Sequence, residues 1–390
     1  MSRRRLSAPI SQKENYRIVR IGDVIYNKMR MWQGAVGLSF HDGVVSPAYV
    51  VLRPRSLLIP RFFERLFKSA VFVWQSNLFS YGIADDQNSL RFEDFKSMTL
   101  VYPPLNEQRH IAAWLDLQTG RIGKRLALLG KKRELLRDLR RNLISETLAS
   151  GLHGQEKTPT GLVDLPELPV GWEASHAKRL LRFITSGSRG WAEYYADEGD
   201  FFLRIGNLTR ETIELDLSDV QRVALPSKAA EGKRTRIREG DILVSITADL
   251  GSIAVAPRLN KPAYVNQHIA LCRPKDTVHP RWLGYAMLSS QSKRQMMNFG
   301  YGGTKIQLSL DDVRNVWLAV PPLNEQGEIA AYLDQRLSKI ARQITLIDRL
   351  EGLLKEQRKA IIHEAVTGKI DLSGAPVGDS LSPTGARIPA

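Results

Sequence analysis

Apolar residues recur every seven positions in two proline-free segments of the chain, residues 105–149 and 323–366. This spacing places a narrow apolar stripe along one side of a helix, and such a stripe needs a partner to cover it. The positions are Ile122, Leu129, Leu136 and Leu143 in the first segment, and Ile340, Ile347, Leu354 and Ile361 in the second. We therefore predict two long helices that pair within the chain as an antiparallel coiled coil.

The sequence also marks where each long helix begins and ends. A proline pair precedes each segment, and an asparagine two residues later can cap the first turn. Glycines stand where the helices should end. The capping and terminating residues are Asn106 and Gly151 for the first helix, and Asn324 and Gly368 for the second. The Glu-Gln pairs at 107–108 and 325–326 are interpreted as first-turn groups that favour capping and the helix macrodipole.

Both segments belong to an internal repeat with an offset of 218 residues. Residues 103–116 read PPLNEQRHIAAWLD and residues 321–334 read PPLNEQGEIAAYLD, with eleven of fourteen positions identical. Short β-branched and aromatic runs before the second block, at 241–247 and 253–256, indicate strands. The fold class is therefore α/β (α+β): two mixed units in tandem, each followed by a long helix.

The repeat and the composition shifts divide the chain into six segments, and helical patterns at 60–74 and 280–298 fall inside the two mixed units. The tail is rich in Gly, Pro and Ser and is predicted to be disordered. The segments are 1–102 (first mixed unit), 103–152 (first long helix), 153–170 (linker), 171–320 (second mixed unit), 321–370 (second long helix) and 371–390 (tail).

The charge balance points to a polyanionic partner. The chain has 56 Lys and Arg against 41 Asp and Glu, a formal net charge of +15, and nucleic acid is the commonest partner of such an excess. Cys272 is the single cysteine, which suits a reducing compartment. No run reaches the ~18 apolar residues that a membrane span needs. We expect a cytoplasmic protein.

At this point the chain resembles the specificity subunits of type I restriction–modification systems. The resemblance covers nearly the whole chain. It is carried by the twin PPLNEQ blocks, the Gly-Trp-Glu opening at 171–173, the strands that follow Gly22 and Gly240, and the run GVVSPAYVVLRP at 43–54.

The resemblance implies that each mixed unit is a target recognition domain for one half of a bipartite DNA site. It also implies that the helix pair separates the domains and docks two methyltransferase subunits, which restriction subunits then join. S-adenosylmethionine, ATP and magnesium are expected on those partner subunits, and no cofactor or metal is expected on this chain.

One departure from the family pattern concerns the first half. About 155 residues precede the second PPLNEQ block, counted from Leu165, whereas 102 precede the first, which lacks a counterpart of residues 171–173. A mis-set start, a natural truncation and a smaller domain remain as interpretations. The deficit leaves open an orphan subunit that binds methyltransferase without recognising DNA.

Motifs that would make the chain an enzyme are missing from the sequence. There is no Asn/Asp-Pro-Pro-aromatic loop for adenine methylation, no phosphate-binding G-x-x-x-x-G-K-[ST], no H-E-x-x-H and no G-x-S-x-G. The histidines lack metal-ligand spacing. We expect a non-catalytic subunit, and a nuclease with an unfamiliar site is the remaining enzymatic alternative.

The candidate DNA contacts lie in predicted loops and combine hydrogen-bonding, cationic and aromatic side chains. For each, an ordinary turn or a solvated face is the competing interpretation. The candidates are Lys28, Arg30, Trp32 and Gln33 in the first unit, and Arg189, Asn266, Gln267, His268, Tyr301, Gly303, Thr304 and Lys305 in the second.

Overall fold

The computed structural model describes residues 16–55, 57–81, 88–226, 231–299, 307–372 and 374. The chain divides into two units, and both boundaries between the units fall inside a long helix rather than between the predicted segments. Unit 1 joins residues 1–131 to residues 347–390, and unit 2 comprises residues 132–346. Each long helix therefore contributes its first part to one unit and its last part to the other.

Unit 1 is built from small antiparallel sheets and short helices in front of the long helices. Its strands are β1 (Arg17–Val19), β2 (Val24–Asn27), β3 (Val36–Leu38), β4 (Gly43–Val45) and β5 (Tyr49–Leu52). Its helices are α1 (Pro60–Phe67), α2 (Ala70–Leu78), α3 (Phe92–Ser97), the first part of α4 (Leu105–Ser150) and the last part of α10 (Leu323–Val366). Strands β3, β2 and β5 form one sheet with β2 in the centre, and β1 pairs with β4.

Aromatic rings fill the core of unit 1. Phe67 lies between Phe72 and Phe95, with ring centroids 4.6 and 5.4 Å apart, and Tyr26 stacks on Phe95 at 5.3 Å. The same core includes Leu115 near the start of α4 and Ala365 and Val366 at the end of α10. Packing of the two helix ends against one apolar core fixes them beside each other.

Over its described residues, unit 2 has more strands than unit 1, and they form four separate sheets. Its strands are β6 (Lys157–Leu162), β7 (Leu165–Pro169), β8 (Glu173–His176), β9 (Leu181–Ser186), β10 (Tyr195–Ala196), β11 (Asp200–Leu203), β12 (Gln221–Val223), β13 (Ile242–Ser245), β14 (Ile253–Val255), β15 (Ala263–Val265), β16 (Ile269–Pro274) and β17 (Trp317–Val320). The helices between them are α5 (Ala177–Leu180), α6 (Glu231–Thr235), α7 (Pro280–Leu288), α8 (Ser290–Phe299) and α9 (Leu310–Arg314).

Two four-stranded sheets form the centre of unit 2. One has the order β14-β13-β16-β9 and is antiparallel, and the other has the order β10-β12-β11-β15 with β11 and β15 parallel. All four residues of β13 are buried, as expected for a central strand. Helix α7 packs closely on β14, because Gly284 has no side chain there: a Cβ would lie 2.3 Å from Val255 Cγ2.

The long helices pair antiparallel, as the heptad pattern predicts. In unit 1 the first turns of α4 share a core with the last turns of α10. In unit 2 Gln155, five residues beyond α4, donates a hydrogen bond from Nε2 to Glu325 Oε1 in the first turn of α10 (3.3 Å). Of the eight seam residues, Ile122, Leu136, Ile340 and Ile347 are buried and Leu129, Leu143, Leu354 and Ile361 are half-buried.

The helix ends differ from the prediction at their starts. Both helices begin at the leucine after the proline pair, so Asn106 and Asn324 lie inside the first turn and cannot cap it. The helix begins directly after the proline pair, one residue before the asparagine. At the other ends, Gly151 (φ 67°) and Gly368 (φ 70°) adopt the left-handed conformation that glycine tolerates, as predicted.

Gln108 and Gln326, the glutamines of the repeated block, connect each long helix to the domain before it. Gln326 Oε1 accepts from the backbone N–H of His279 (2.9 Å), and its Nε2 donates to the carbonyl oxygen of Pro321 (3.0 Å). Gln108 makes the equivalent pair with Ile59 (3.0 Å) and Pro103 (2.8 Å). Both side chains are buried. The assignment of these glutamines to capping is therefore wrong, because their amides bond backbone groups outside the helix.

The aspartate that ends each repeated block makes a second connection. Asp334 accepts from Arg281 Nη2 and from the hydroxyl of Tyr285 on α7, at 2.7 and 2.6 Å. Asp116 accepts from Arg61 on α1 at 3.0 Å in the same way. Burial disfavours the charged form of Arg281, but its hydrogen bonds to carboxylates outweigh burial and raise its pKa.

Three sequence segments are organised differently from their predictions. The segment 153–170, predicted as a linker, forms the hairpin β6–β7, because Leu165 and Leu168 are apolar and become buried. Each helical pattern at 60–74 and 280–298 is split in two, at Ser69 and Ser289. The Ser69 hydroxyl accepts from Phe72 N (3.4 Å), and the Ser289 hydroxyl accepts from Ser292 N (3.2 Å), so each serine ends one helix and caps the next.

Candidate nucleic-acid interface

Three loops of unit 2 meet at one edge of the sheet β14-β13-β16-β9. Ser186, at the end of β9, lies opposite Ala270, and Ser245, at the end of β13, lies opposite Ile269. Because β16 is antiparallel to both neighbours, the loops after β9 and β13 and the loop before β16 emerge together. We call residues 187–190, 246–249 and 266–268 the unit 2 loop cluster.

Gly187 holds the first of these loops against the third. Its backbone N–H donates to the carbonyl oxygen of Asn266 (3.2 Å), and a Cβ at this position would lie 2.1 Å from the carbonyl oxygen of Val265. Real Cβ atoms do not approach that closely, so this contact requires glycine. Arg189, a predicted DNA contact, is exposed on the same short loop.

The three polar residues before β16 are joined by local hydrogen bonds. Asn266 is buried, and its Oδ1 accepts from the backbone N–H of His268 (3.1 Å). His268 Nδ1 lies 2.9 Å from Thr247 Oγ1, and its Nε2 lies 3.0 Å from Gln267 Nε2. Asn266 thus shapes the turn, while Gln267 and His268 are half-buried and partly accessible to a ligand.

Further groups join the unit 2 loop cluster from other parts of the chain. Thr247 forms an isolated β-bridge with Gln307, and Leu308 N donates to Ile246 O (2.9 Å). Gln307 follows the predicted contacts Tyr301, Gly303, Thr304 and Lys305 in the sequence, and these four lie outside the described residues. Arg210, which stands in no sequence motif, forms an ion pair with Asp249 at 2.7 Å.

The predicted patch of unit 1 occupies the equivalent sheet edge. Lys28 immediately follows β2, and its carbonyl oxygen accepts from Leu90 N (2.9 Å), as Ile246 accepts from Leu308 one repeat later. Arg30 and Gln33 are exposed, whereas Lys28 and Trp32 are half-buried. The Trp32 indole N–H donates to the carbonyl oxygen of Met29 (3.0 Å), which fixes the ring beside the loop.

The opposite edge of each sheet carries a structural ion pair. In unit 1 Arg53 Nε and Nη2 donate to Asp23 at 3.2 and 3.1 Å, and in unit 2 Arg273 bonds Asp241 at 2.8 and 2.7 Å. Burial of Asp23 opposes its charge, but the hydrogen bonds from Arg53 and from the Arg20 backbone lower the pKa of the carboxyl. These paired groups hold the turn before β2 or β13, and so position the strand that leads to the loops.

A second basic surface lies beside Asp241. Four exposed cations surround a depression of about 310 Å³ whose walls are the chain before β13 and the chain after β14. They are Arg236, Arg238, Arg258 and Lys261. Glu239 lines the same depression, and the four cations leave an excess of positive charge. A concave surface with such an excess concentrates anions such as phosphate.

Neither a metal cluster nor a membrane helix is found in the described part of the chain. Over those residues, no group of three or more His, Cys, Asp or Glu side chains could hold a metal ion. No described helix is both long and apolar enough to cross a membrane.

Known proteins are similar to this chain in sequence. The family described as "Type I restriction modification DNA specificity domain" matches residues 202–351. A Methanocaldococcus jannaschii protein named for the specificity subunit of the type I restriction enzyme MjaX is 23% identical over 375 residues, which are 91% of this chain and 80% of that protein. The chain therefore contains a match to a type I DNA specificity domain and is similar to a type I specificity subunit over most of its length. The resemblance in the repeated blocks is thereby confirmed.

Solved structures share the fold of this chain. A chain from a structure of the type I R-M system, described for its complex assembly and conformational transition, superposes with a TM-score of 0.71 at 22% identity, covering 93% of this chain and 85% of that one. The HsdS subunit from Thermoanaerobacter tengcongensis gives 0.52 at 24% identity, covering 90% and 82%. At these identities the likeness establishes the fold.

Proposed function

We propose that this chain is a type I specificity subunit. It recognises a bipartite DNA site with its two mixed units, and it has no catalytic activity of its own. The observation that carries the proposal is that the unit 2 loop cluster and the predicted patch of unit 1 lie at equivalent ends of their sheets. Chain segments 28–33 and 246–251 follow the central strand at the same point of the repeat. The first segment carries its own cations, Lys28 and Arg30, and the second receives Arg189 from the neighbouring loop and Arg210, which pairs with Asp249. Two related domains with equivalent loops are suited to two half-sites.

In this proposal the groups at the loop edges divide into two roles. Arg189 and Arg30 are exposed cations that contact phosphates, and phosphate contacts supply affinity without sequence information. Gln267 and His268 carry the hydrogen-bonding groups for base edges, since glutamine suits adenine. S-adenosylmethionine, ATP and magnesium belong to partner subunits in a cytoplasmic complex.

A binding measurement on DNA tests the phosphate role. Arg189→Ala removes one exposed cation from the loop edge, so the slope of log Kd against log salt should fall by about one unit. Arg182→Ala is the matched control, because Arg182 is an exposed cation at the other end of the same strand and pairs with Asp276. Equal slopes for both variants would contradict the proposal that Arg189 in the unit 2 loop cluster contacts phosphate.

Methylation mapping tests the bipartite function. The chain is co-expressed with its methyltransferase subunit, and an asymmetric bipartite motif methylated in both halves is the expected result. A motif with one working half-site would restrict DNA recognition to one unit. A stable complex that methylates nothing would favour the orphan subunit, and magnesium-dependent cleavage by the isolated chain would favour a nuclease.

We further propose that the long helices dock the methyltransferase subunits, which restriction subunits then join. Each helix has a row of exposed leucines at helical spacing outside the seam, and exposed apolar rows mark interaction surfaces. The rows are Leu128, Leu135 and Leu139 on α4, and Leu346, Leu350 and Leu353 on α10. Leu135→Asp should abolish co-purification with the methyltransferase, and Gln343→Asp, at another exposed position, should not. Retained co-purification of Leu135→Asp would reject this surface.

A further inference from the structure

Unit 1 has an apolar groove whose side chains are open to solvent. The groove has a volume of about 690 Å³ and lies between α2, the segment 99–103 and the end of α10. Trp74 is 66% exposed and Val101 is 90% exposed, and Leu78 and Tyr102 are also exposed. A contiguous group of large apolar side chains in contact with water is unusual for a protein surface and marks a binding site.

The equivalent surface of unit 2 is covered by the chain itself. There the hairpin β6–β7 lies against α8 and the end of α4, with Leu165 only 2% exposed. Gln291 Nε2 donates to the carbonyl oxygen of Asp164 in the hairpin turn (2.8 Å). Gln291 and Arg294 are the repeat counterparts of Val71 and Trp74 at an offset of 220. The surface of unit 1 is thus more apolar than its counterpart, yet none of the described residues covers it.

The C-terminal tail repeats the sequence of the covering hairpin. Residues 158–161 read TPTG at the start of the hairpin, and residues 382–385 read SPTG in the tail. Leu165-Pro166 begins four residues after Gly161, and Ile388-Pro389 begins three residues after Gly385. Residues 375–390, for which disorder is predicted, lie outside the described residues.

The repeated residues lie in the first strand of the hairpin in unit 2, at the irregularity in strand pairing just before the turn. The Thr160 hydroxyl accepts from Leu162 N (3.0 Å) and donates to the carbonyl oxygen of Leu165. Gly161 has φ 74°, a conformation that favours glycine. Threonine followed by glycine therefore carries structural information for this hairpin, and the tail has the same pair.

We propose that residues 382–390 of the tail occupy the groove of unit 1, as β6 and the start of β7 occupy the equivalent surface of unit 2. Ile388 takes the place of the buried Leu165, beside Trp74 and Leu78. The inference does not depend on the DNA-binding function. It extends only to the part of the groove next to α2, since residues 382–390 contain no counterpart of Trp172.

The path of the chain allows this placement. Val366 and Gly368 line the groove, and Leu372 is buried in the core of the same unit, so the tail leaves the described structure beside its proposed site. Ser382 follows Leu372 by ten residues, which span up to about 33 Å when extended. The connection from helix to motif is eight residues longer than in unit 2, because Ser382 follows the helix end Val366 by 16 residues and Thr158 follows Ser150 by 8. Closure entropy rises slowly with such a change.

Hydroxyl-radical footprinting of the Trp74 side chain tests the proposal on the full chain. Oxidation of Trp74 should be at least fivefold slower in the full chain than in a chain that ends at Gly374, with exposed Phe40 as the internal reference. Ile388→Asp should release Trp74 to the rate of the shortened chain, because a carboxylate is not tolerated in an apolar groove. Leu381→Asp, the same change just outside the repeated motif, should leave Trp74 protected.

Adding a tail peptide and diluting the protein distinguish the chain's own tail from the tail of a second copy as the occupant of the groove. A synthetic peptide of residues 380–390 should restore protection to the shortened chain. Equal oxidation of Trp74 in the full and shortened chains would overturn the proposal. Protection that is lost on dilution would also overturn it, because the groove would then be filled by the tail of a second copy.

Discussion

Replacing Gln326 by methionine should detach helix α7 from the start of α10. Methionine has a similar length but cannot bond the amide of His279 or the carbonyl of Pro321, which now meet Gln326 at 2.9 and 3.0 Å. Leaving one buried polar group without a partner costs about 1–3 kcal/mol, so two should cost roughly 2–5 kcal/mol. At 1.4 kcal/mol per factor of ten, the opening equilibrium should rise by roughly 30-fold to several thousand-fold.

Hydrogen exchange of the α7 backbone measures this opening directly. Amides of residues 279–288 should exchange faster in Gln326→Met by about that factor, while amides of β2 and β5 in unit 1 should be unaffected. Gln335→Met is the matched control, since Gln335 is exposed on the same helix and its change should stay within about 0.5 kcal/mol. If α7 exchanged equally in the two variants, the hydrogen bonds of Gln326 would not be what holds the helix.

Three further predictions follow from buried or crowded groups. Arg53 lowers the pKa of the Asp23 carboxyl, so the stabilisation by this pair is complete at neutral pH and is lost as the pH falls through about 4 and below. The urea midpoint of unit 1 should therefore drop more steeply on acidification in the wild type than in Asp23→Asn. Parallel plots of midpoint against pH would reject this linkage. Gly187→Ala should weaken DNA binding at least tenfold with an unchanged circular dichroism spectrum, whereas Gly206→Ala, which meets no atom within 4 Å, should not; equal affinities would mean that the loop contact is dispensable. Burial raises the pKa of the Cys272 thiol, so iodoacetamide should label it only in denaturant, and labelling of the native chain at the denatured rate would contradict its burial.

The long helices and the repeat could be predicted because their signals are local. A seven-residue apolar spacing determines which side of a helix is buried regardless of the rest of the chain. The hairpin of residues 157–169 was missed for the opposite reason. Its residues are rich in proline and glycine, and the burial of Leu165 depends on α8, more than 120 residues away. Pairings of that separation leave no periodic pattern in the sequence.

For the candidate site, residue type was predicted better than residue role. Asn266, chosen for its match to adenine, is buried and bonds the backbone of His268. Arg210 is not predictable from the sequence, because it belongs to no motif. It joins the unit 2 loop cluster only through its ion pair with Asp249. The glutamines of the PPLNEQ blocks sit in a first helical turn, where capping is the usual role, and only the fold brings backbone groups of another helix to them.

The interleaved connectivity of the two units fixes the order in which they can be completed on the ribosome. Unit 2 is one continuous stretch, so it can fold as soon as residue 346 has left the exit tunnel. Unit 1 begins first but needs the last turns of α10, which are made 216 residues after its first part ends at residue 131. At roughly 5–20 residues per second, its aromatic core waits about 10–40 s for that helix end. A nascent chain stalled when residue 346 has just left the exit tunnel, with the end of α10 still inside it, should therefore hold a finished unit 2 and an unfinished unit 1. The part of the chain that is made first is then the part most dependent on chaperones.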